Sequence, residues 1–476
     1  MNYECKISSG ENCCNVLITF HWILIADAMS FNMDAQSYRD LNVFTDASGS
    51  DPIVQLFKWT KTIGGKEMIR DMMGKPSSDI DFLNRRKESI QYFYDKKIVL
   101  EVKAEQLDLI EHYLKFNKAR SRNNLLDALV YFIQKRSGSD YYTISSGLLH
   151  LIRLLKYLSG FVETLVAEDA PEHLKAIGQR IVQILELDKL KVARGWNRKK
   201  LRFYQLNRLD HACRGKLKPE IAALLSLVYE LDAFETISGT ARAKGLNFPV
   251  YSGANEIKVS LKGLFHPSIE RAVKNDLVLE KGENITFLTG SNMAGKSSLL
   301  KSLGLSIYLS HLGFPVPAAQ METTIFNGLL TTINLPDNLN QGLSHYYSEV
   351  KRVKEAVSTL LEQERMFIIF DELFRGTNVK DAFDASLLIV SELSHVHNSI
   401  FFISTHIVEL ADELRRFENI SFKYMDTFFK TGKPVFTYQL KEGVSQERLG
   451  MYIIEQEGIV EIIRRVSKKP NGLSLS

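Results

Sequence analysis

The segment Gly290-Ser-Asn-Met-Ala-Gly-Lys-Ser297 decides how this 476-residue sequence is interpreted. It fits the pattern GxxxxGK[ST], in which glycines let the backbone wrap closely around phosphate oxygens. The apolar residues 284–289 before it predict a strand, and a helical run that includes Leu299, Leu300 and Leu303 follows it. A strand, a glycine-rich loop and a helix in this order predict a phosphate-binding P-loop.

The loop chemistry assigns a role to each residue. The expected ATP-binding residues are Gly290, Ser291, Asn292, Met293, Ala294, Gly295, Lys296, Ser297 and Ser298. The Lys296 ammonium would reach the β- and γ-phosphates, and the Ser297 hydroxyl would ligate Mg²⁺. The alternative is a chance match in a loop rich in Gly and Ser, and the flanking strand and helix disfavour it.

A second apolar stretch, residues 366–370, ends in the two carboxylates Asp371 and Glu372. This pattern predicts a buried strand whose tip carries the acids toward the phosphates. We expect Asp371 to hold Mg²⁺ and Glu372 to act as general base on the attacking water. On its own the pattern also suits a solvated strand end, but its pairing with a P-loop favours the catalytic interpretation.

A third apolar stretch, residues 399–403, is followed by Ser404-Thr405-His406. A histidine at a strand tip near phosphates can sense the γ-phosphate or orient water, so His406 is a candidate catalytic residue. The alternative is a surface or packed histidine at the start of a loop. Uninterrupted apolar strands alternating with helical runs predict an α/β domain with a mostly parallel sheet, and the glycine-rich loop predicts that it is a P-loop ATPase domain.

The chain before this domain has a different pattern. Apolar residues recur at spacings of three and four over residues 107–114, 148–158, 177–185 and 221–231, which predicts long amphipathic helices. We therefore predict four parts: an N-terminal extension (1–38), an all-α domain (39–249), the ATPase domain (250–467) and a flexible tail (468–476). Met29 or Met33 is an alternative start of the protein.

Composition excludes several classes. A hydrophobic fraction of 45% and a net charge of +4 rule out a disordered chain and leave the partners undetermined. Three of the four cysteines lie in the first 14 residues, without metal-binding spacing. We therefore expect no disulfide scaffold and a reducing, cytoplasmic location. The apolar residues 16–28 are too few to cross a bilayer, so no membrane association is expected.

These motifs together resemble the MutS family of mismatch-repair ATPases. Residues 290–298 are similar to the family's GPNMGGKST, residues 371–377 to its DEIGRGT and residues 404–410 to its ATHYFEL. Phe265-His-Pro267 stands where the family has RHP, and residues 342–349 resemble its GxSTFMxE segment. The Asn-Met pair within the P-loop is unusual among P-loop proteins, so the resemblance is specific, and it covers the C-terminal half.

The resemblance implies an α/β P-loop ATPase domain of the ABC type and ATP sites that are shared across a dimer of these domains. Ser344 matches the serine that reaches the γ-phosphate of the opposite subunit, and Arg375-Gly376-Thr377 match the loop that faces it. Tyr438 matches a family position that contributes a ring to the adenine, where the family more often has His. The chain departs from the family pattern at Ser291, Ala294, Ser298 and Phe374. Phe374, in place of a glycine, would put a bulky ring near the presumed dimer face.

The helical half also resembles the family, at the start of its core and lever domain. Residues 56–70 and 85–90 carry this similarity, which includes a Thr-x-Gly turn. We expect no mismatch-reading or connector domain and no Phe-x-Glu wedge, because about 40 residues precede this region. An inserted DNA clamp and the C-terminal oligomerisation pieces are likewise expected to be absent or minimal.

A basic segment lies between Lys189 and Lys218, with eleven Lys or Arg against one acid, Asp210. The segment could contact a nucleic-acid backbone, and Arg198, Lys199, Lys200 and Arg202 are its candidate DNA contacts. The alternative is a solvated face or turn between helices.

The sequence as a whole predicts a short MutS-like, DNA-dependent ATPase that acts as a homodimer in mismatch repair or a related process. ATP binding would close the dimer and move the levers. A nucleotide-switched scaffold that has lost mismatch recognition is the alternative. A transporter or chromosome-maintenance ATPase is disfavoured, because no LSGGQ signature lies between Lys296 and Asp371.

Overall fold

The structure is a computed structural model. It describes residues 31–45, 51–116, 139–196, 201–253, 257–280, 282–291, 293–333, 345–430, 433–445, 454 and 456–467. The first 30 residues of the predicted extension (1–38) and the predicted tail (468–476) lie outside the described residues.

Helices dominate the described residues of the N-terminal half. They are α1 (Ala35–Asp40), α2 (Ile63–Met73), α3 (Ile80–Lys96), α4 (Ala104–Lys115), α5 (Ser139–Leu165), α6 (Glu172–Leu185), α7 (Asp188–Arg194), α8 (Phe203–Cys213) and α9 (Lys218–Lys244). The predicted apolar runs fall in α4, α5, α6 and α9, and their residues are buried. The 3.6-residue periodicity thus identified these helices correctly.

The Thr-x-Gly turn brings α2 and α9 into close contact. Thr62 caps α2, and its hydroxyl donates to buried Asp232 of α9 at 2.6 Å. A Cβ at Gly64 would lie 2.5 Å from the Tyr229 ring, and one at Gly65 would lie 2.2 Å from Asp232. Because only glycine leaves room for this approach, the turn fixes how the two helices pack.

Two sheets form the C-terminal half. The strands are β1 (Val250–Tyr251), β2 (Val259–Leu264), β3 (Asn275–Val278), β4 (Ile285–Thr289), β5 (Gln320–Thr323), β6 (Gly328–Thr332), β7 (Met366–Asp371), β8 (Ile400–Ser404), β9 (Ile420–Lys430) and β10 (Lys433–Glu442). The larger sheet has the order β10-β9-β4-β8-β7-β6 and the smaller one β1-β5-β2-β3. In the larger sheet only β10 pairs antiparallel, so a mostly parallel sheet is confirmed.

The remaining helices of this half are α10 (Lys296–Ser310), α11 (His345–Glu362), α12 (Val379–Leu393), α13 (Leu410–Leu414) and α14 (Ile459–Ser467). β4, β7 and β8 are the three strands predicted from apolar runs, and every residue of β4 and β8 is buried. Strands that are buried on both faces need no polar alternation, which is why uninterrupted runs marked them. The smaller sheet was not predicted, because its short strands alternate with polar residues.

Residues 31–45 lie on the larger sheet, although the prediction placed the extension up to residue 38 and the helical domain from 39. Asn32 bridges to Gly328, and Ser37 Oγ accepts from Thr331 N at 2.8 Å. Asp40 Oδ2 accepts from Ile333 N at 2.9 Å. β6 is the last strand of the sheet, and these side chains satisfy backbone N–H groups at its edge.

The C-terminal end of α10 is fastened to the helical half. Ser77 N donates to His311 O at 2.8 Å, and Arg86 Nη1 donates to Leu312 O at 3.0 Å. Tyr308 Oη also donates to Met73 O. A guanidinium at the end of α10 complements the negative end of the helix dipole. The helix that follows the glycine-rich loop therefore contacts the helical half directly.

Candidate functional site at the carboxyl edge of the larger sheet

The glycine-rich loop connects β4 to α10 as predicted, and two of its glycines have backbones that other residues rarely adopt. Gly290 has φ 146° and Gly295 has φ 97°. A Cβ at Gly295 would lie 3.1 Å from Tyr438 Cδ1, so the ring packs against the bare α-carbon. Ala294 is buried and is not among the residues with positive φ, so its methyl group is accommodated without backbone strain.

The other loop residues are placed as follows. Met293 is 74% exposed and has φ 69°. Ser291 Oγ lies 3.3 Å from Thr427 Oγ1 across the loop. Ser298 O accepts from Ser302 Oγ at 2.7 Å within α10. Asn292, which the sequence also assigned to ATP binding, lies outside the described residues.

The Lys296 ammonium folds back over the loop. Its Nζ donates to Gly290 O at 2.8 Å and to Ser291 O at 3.3 Å, and lies 3.4 Å from His406 Nδ1. Burial lowers the pKa of Lys296, while the charges of Glu372 and Asp371 oppose that shift. The loop carbonyls therefore hold the Lys296 ammonium at the loop, where phosphate oxygens could take the place of these carbonyls as its hydrogen-bond acceptors.

Asp371 ends β7 and receives two hydroxyl groups. Ser297 Oγ donates to its Oδ2 at 2.5 Å, and Ser404 Oγ donates to its Oδ1. Asp371 pairs with Ser404 in the register of β7 and β8, which brings both strand tips to one point. A hydroxyl oxygen and a carboxylate oxygen in contact are hard oxygen donors of the kind that Mg²⁺ uses. These residues therefore fit the predicted metal role.

Glu372 has an unusual backbone and a strongly held carboxylate. Its φ is 62°, and its N–H donates to Ser404 O at 3.1 Å. Glu372 Oε1 lies 2.6 Å from His406 Nε2. The pKa of Glu372 is lowered to about 2. The hydrogen bond to His406 is the main cause, and nearby positive charges add to it, whereas burial opposes the shift. Its carboxylate is therefore ionised at neutral pH, which suits orienting a water more than abstracting a proton.

Two of the residues predicted to face a partner subunit, Arg375 and Gly376, contact acids of their own chain. Arg375 lies 3.5 Å from Glu372 and 3.6 Å from Glu349, and Gly376 N donates to Glu349 Oε2 at 3.3 Å. Thr377 is half-buried in the same loop. Ser344 lies outside the described residues. No role for Glu349 was predicted, although the residue lies in a segment that the motifs had singled out.

The ring of Phe374, expected near a dimer face, is buried within its own chain. The residue is 3% exposed, and its ring packs 5.9 Å from that of Tyr346 in the core beside α11. Its φ is 59°, a conformation that favours the glycine of the family pattern. The bulky side chain is thus turned inward, and the apolar contacts offset the backbone strain.

A cavity of about 370 Å³ adjoins the loop at Gly295. Phe265, His266, Gly295, Ser298 and Tyr438 are among the residues that line it. Burial, with a smaller contribution from Lys301, lowers the pKa of His266 to about 4, so the imidazole is neutral at pH 7. The structure brings together two ring-bearing segments that the sequence had singled out separately.

Ion pairs within the chain engage several cations of the basic segment. Lys191 and Arg194 both contact Glu186, at 2.5 and 2.8 Å. Arg214 pairs with Asp210 at 2.6 Å, and this pair is buried. Arg202 is exposed, and its guanidinium donates to Tyr204 Oη at 3.2 Å. The candidate contacts at positions 198, 199 and 200 lie outside the described residues.

Within the described ranges, no helix combines the length and apolar character needed to cross a membrane.

Comparison with known proteins finds similarities to MutS proteins. Residues 286–474 match the family model of MutS domain V. The DNA mismatch repair protein MutS of Oceanobacillus iheyensis is 27% identical over 264 residues, which are 53% of this chain and 30% of that protein. The protein of the same name from Bacillus thuringiensis is 27% identical over 249 residues, 50% of this chain and 27% of that protein. The matched part spans less than a third of the length of these relatives.

Proposed function

We propose that this chain is a MutS-type ATPase that binds ATP with Mg²⁺ and hydrolyses it at the carboxyl edge of the larger sheet. One observation carries the proposal: the tips of three adjacent parallel strands bring Lys296, Asp371, Glu372 and His406 into one chain of contacts. Open α/β sheets bind ligands at this edge. The similarity to MutS domain V supports the same function.

The residues divide the chemistry between them. Lys296 exchanges its contacts with the loop carbonyls for phosphate oxygens, and the amides at the start of α10 bind the same phosphates. Ser297 and Asp371 would hold Mg²⁺, which neutralises phosphate charge when bound. Glu372 orients the attacking water, after its contact with His406 is exchanged for that water. His406 then remains between Glu372 and Lys296, where it can sense the terminal phosphate.

The cavity beside the loop would hold the nucleoside. Tyr438 supplies an aromatic face next to Gly295, and neutral His266 supplies a second ring. Flat rings that flank a base contribute stacking energy without a charge requirement. The position of the cavity next to Ser298 lets base and phosphates occupy the two ends of one groove.

A dimer would complete the site. The resemblance assigns Ser344 and Arg375 to the nucleotide of the partner subunit. Arg375 would then give up its contacts with Glu372 and Glu349 and bind that nucleotide instead. A Ser344→Ala chain mixed with a Lys296→Ala chain gives a heterodimer with one doubly altered site and one intact site. We expect its activity to differ from that of either parent variant. Activity that simply follows the fraction of unaltered chains, at all protein concentrations, would count against a shared site.

The process served is DNA mismatch repair or a related repair or recombination pathway, with DNA as the partner. The names of the relatives support this assignment. The direct contacts of α10 with the helical half, through Tyr308, His311 and Leu312, give ATP binding a route to that half.

A nucleotide-switched scaffold is the second candidate. The internal ion pairs of Lys191, Arg194 and Arg214 favour it, because they reduce the charge left for a nucleic acid. ATPase stimulation measured with duplex, branched and single-stranded DNA separates the two candidates. Stimulation by any DNA favours the first, and its absence with all three favours the second.

The experiment that tests the catalytic proposal is ATP hydrolysis with and without Mg²⁺. We expect turnover that requires Mg²⁺, and weaker nucleotide binding in Lys296→Ala because the phosphates lose a buried cation. An exposed lysine of α12, Lys380, provides the control Lys380→Ala. Equal ATP affinity in both variants would contradict the proposed site.

A further inference from the structure

The backbone at Tyr438 is strained. Tyr438 has φ 57°, a conformation in which its Cβ crowds its own carbonyl group. It lies in a bulge of β10: Phe436 pairs with Thr427 and Leu440 pairs with Met425, so three residues of β10 face one of β9. A non-glycine residue keeps such a conformation only where the surrounding contacts hold it.

The side chain of Asn275 holds the bulge from one side. Its Nδ2 donates to Tyr438 O at 2.9 Å, and its Oδ1 accepts from Leu440 N at 2.7 Å. Asn275 is 7% exposed, so these bonds are shielded from water. Because β3 belongs to the smaller sheet and β10 to the larger one, this single amide fastens the two sheets together.

Thr437 holds the bulge from the other side. Its Oγ1 donates to Asp426 O at 2.9 Å and accepts from Gln439 N at 3.2 Å. With both flanks fixed, the Tyr438 ring lies against Gly295 of the phosphate loop. Asn275, Tyr438 and Gly295 all line the cavity beside the loop.

We propose that Asn275 is a positioning residue for nucleotide binding, holding Tyr438 against Gly295 as one wall of the pocket for the base. The inference rests on the proposed ATP-binding function. If either bond of Asn275 is lost, the backbone at 438 can relax to negative φ and turn the ring away from the loop. Asn275 acts through Tyr438, so its effect falls on nucleotide affinity and leaves the hydrolytic residues at Asp371 and Glu372 unchanged.

The next residue along β3 provides a matched control. Asp276 Oδ1 accepts from Gly263 N at 2.7 Å, so it fastens β2 and makes no such contact with the bulge of β10. Asp276→Asn is isosteric and keeps an acceptor for Gly263. Asn275→Asp is equally isosteric, but it replaces the donor to Tyr438 O by an oxygen that repels that carbonyl. Asn275→Leu removes both bonds at similar volume.

The experiment measures the Kd of ATP and the kcat at saturating ATP. Loss of one stacking ring weakens base binding by about tenfold. We therefore expect Asn275→Leu and Asn275→Asp to raise Kd by up to about that factor, with kcat within about twofold of the parent value. Asp276→Asn should leave both unchanged. In a Tyr438→Ala background, Asn275→Leu should have no further effect on Kd, because the ring that it positions is gone.

Amide hydrogen exchange at Leu440, without nucleotide, gives a second readout. Exchange should accelerate in Asn275→Leu and stay at the parent rate in Asp276→Asn, since only the first loses the acceptor of that N–H. A parent chain that binds no ATP overturns the proposed function together with this inference. If the parent binds ATP, unchanged affinity in both Asn275 variants, or an equal loss in the Tyr438→Ala background, overturns the inference alone.

Discussion

The carboxyl edge of the larger sheet and the basic segment of the helical half both concentrate charged residues, but they use the charge differently. At the edge, Lys296, Asp371 and Glu372 lie in contact with polar groups that a ligand can replace, such as loop carbonyls and hydroxyls. In the basic segment, Lys191 and Arg194 share Glu186, and Arg214 is buried against Asp210.

The difference separates two kinds of sequence evidence. A motif at the end of a strand predicts which residues lie close together, because the register of parallel strands brings the strand ends to one edge. A count of basic residues does not predict which charges stay available to a ligand, since acids from neighbouring helices can pair with them. Glu186 lies three residues before the segment as it was defined, so the count missed it.

Removing a buried cation of the basic segment should have the largest effect on stability. Arg214→Ala leaves Asp210 buried without its ion-pair partner, which costs about 3–5 kcal/mol of unfolding free energy. Arg194→Ala breaks a more exposed pair with Glu186 and should cost about 0–1 kcal/mol. Urea unfolding of both variants measures the difference. Similar losses in the two variants would show that Arg214 has no special structural role.

The fold was predictable where local patterns coincide with deep burial. β4, β7 and β8 and the helices α4, α5, α6 and α9 followed from their apolar patterns. The attachment of residues 31–45 to β6 was not predictable, because it depends on single side chains such as Ser37 and Asp40 that satisfy a distant strand edge.

The candidate site was predictable to a similar extent. The glycine-rich loop, the two carboxylates and His406 lie at or just after the ends of β4, β7 and β8, as their motifs predicted, and their roles stay predictions. Two contacts were not predicted: the hydrogen bonds of Asn275 to the bulge of β10, and the bond from Gly376 N to Glu349. Both act through contacts between residues far apart in the chain, and no local pattern encodes such contacts.

Replacing Arg198, Lys199 and Lys200 together by Ala should have an intermediate effect, on DNA binding. Phosphate contacts are independent of sequence and release counterions, at a slope of about 0.9 in log K against log salt for each contact. We expect lower affinity for matched, mismatched and branched DNA alike and a flatter salt dependence. A strong preference for a mismatch that survives the triple replacement would contradict a charge-based mode of binding.

The smallest effect concerns pH. The hydrogen bond from His406 is the largest influence on the pKa of Glu372, which falls from 4.5 to about 2 because nearby positive charges add to it, although burial opposes the shift. Because the folded-state pKa lies below the unfolded one, the contact stabilises the fold above pH 4.5, and this contribution is lost as the pH falls toward 2. The difference in unfolding free energy between the parent and Glu372→Gln should therefore shrink between pH 6 and pH 3. In a His406→Ala background, most of this pH dependence should disappear.

The claim that the carboxyl edge of the larger sheet is a hydrolytic site rests most directly on Glu372, so we would measure ATP binding and turnover in Glu372→Gln. The neutral carboxamide lacks the charge with which the carboxylate orients the attacking water, so turnover should fall by about 10²–10⁴-fold while ATP affinity changes little. The exposed Glu392 of α12 provides the control Glu392→Gln, which should retain the parent rate. Hydrolysis by Glu372→Gln at the parent rate would contradict the account.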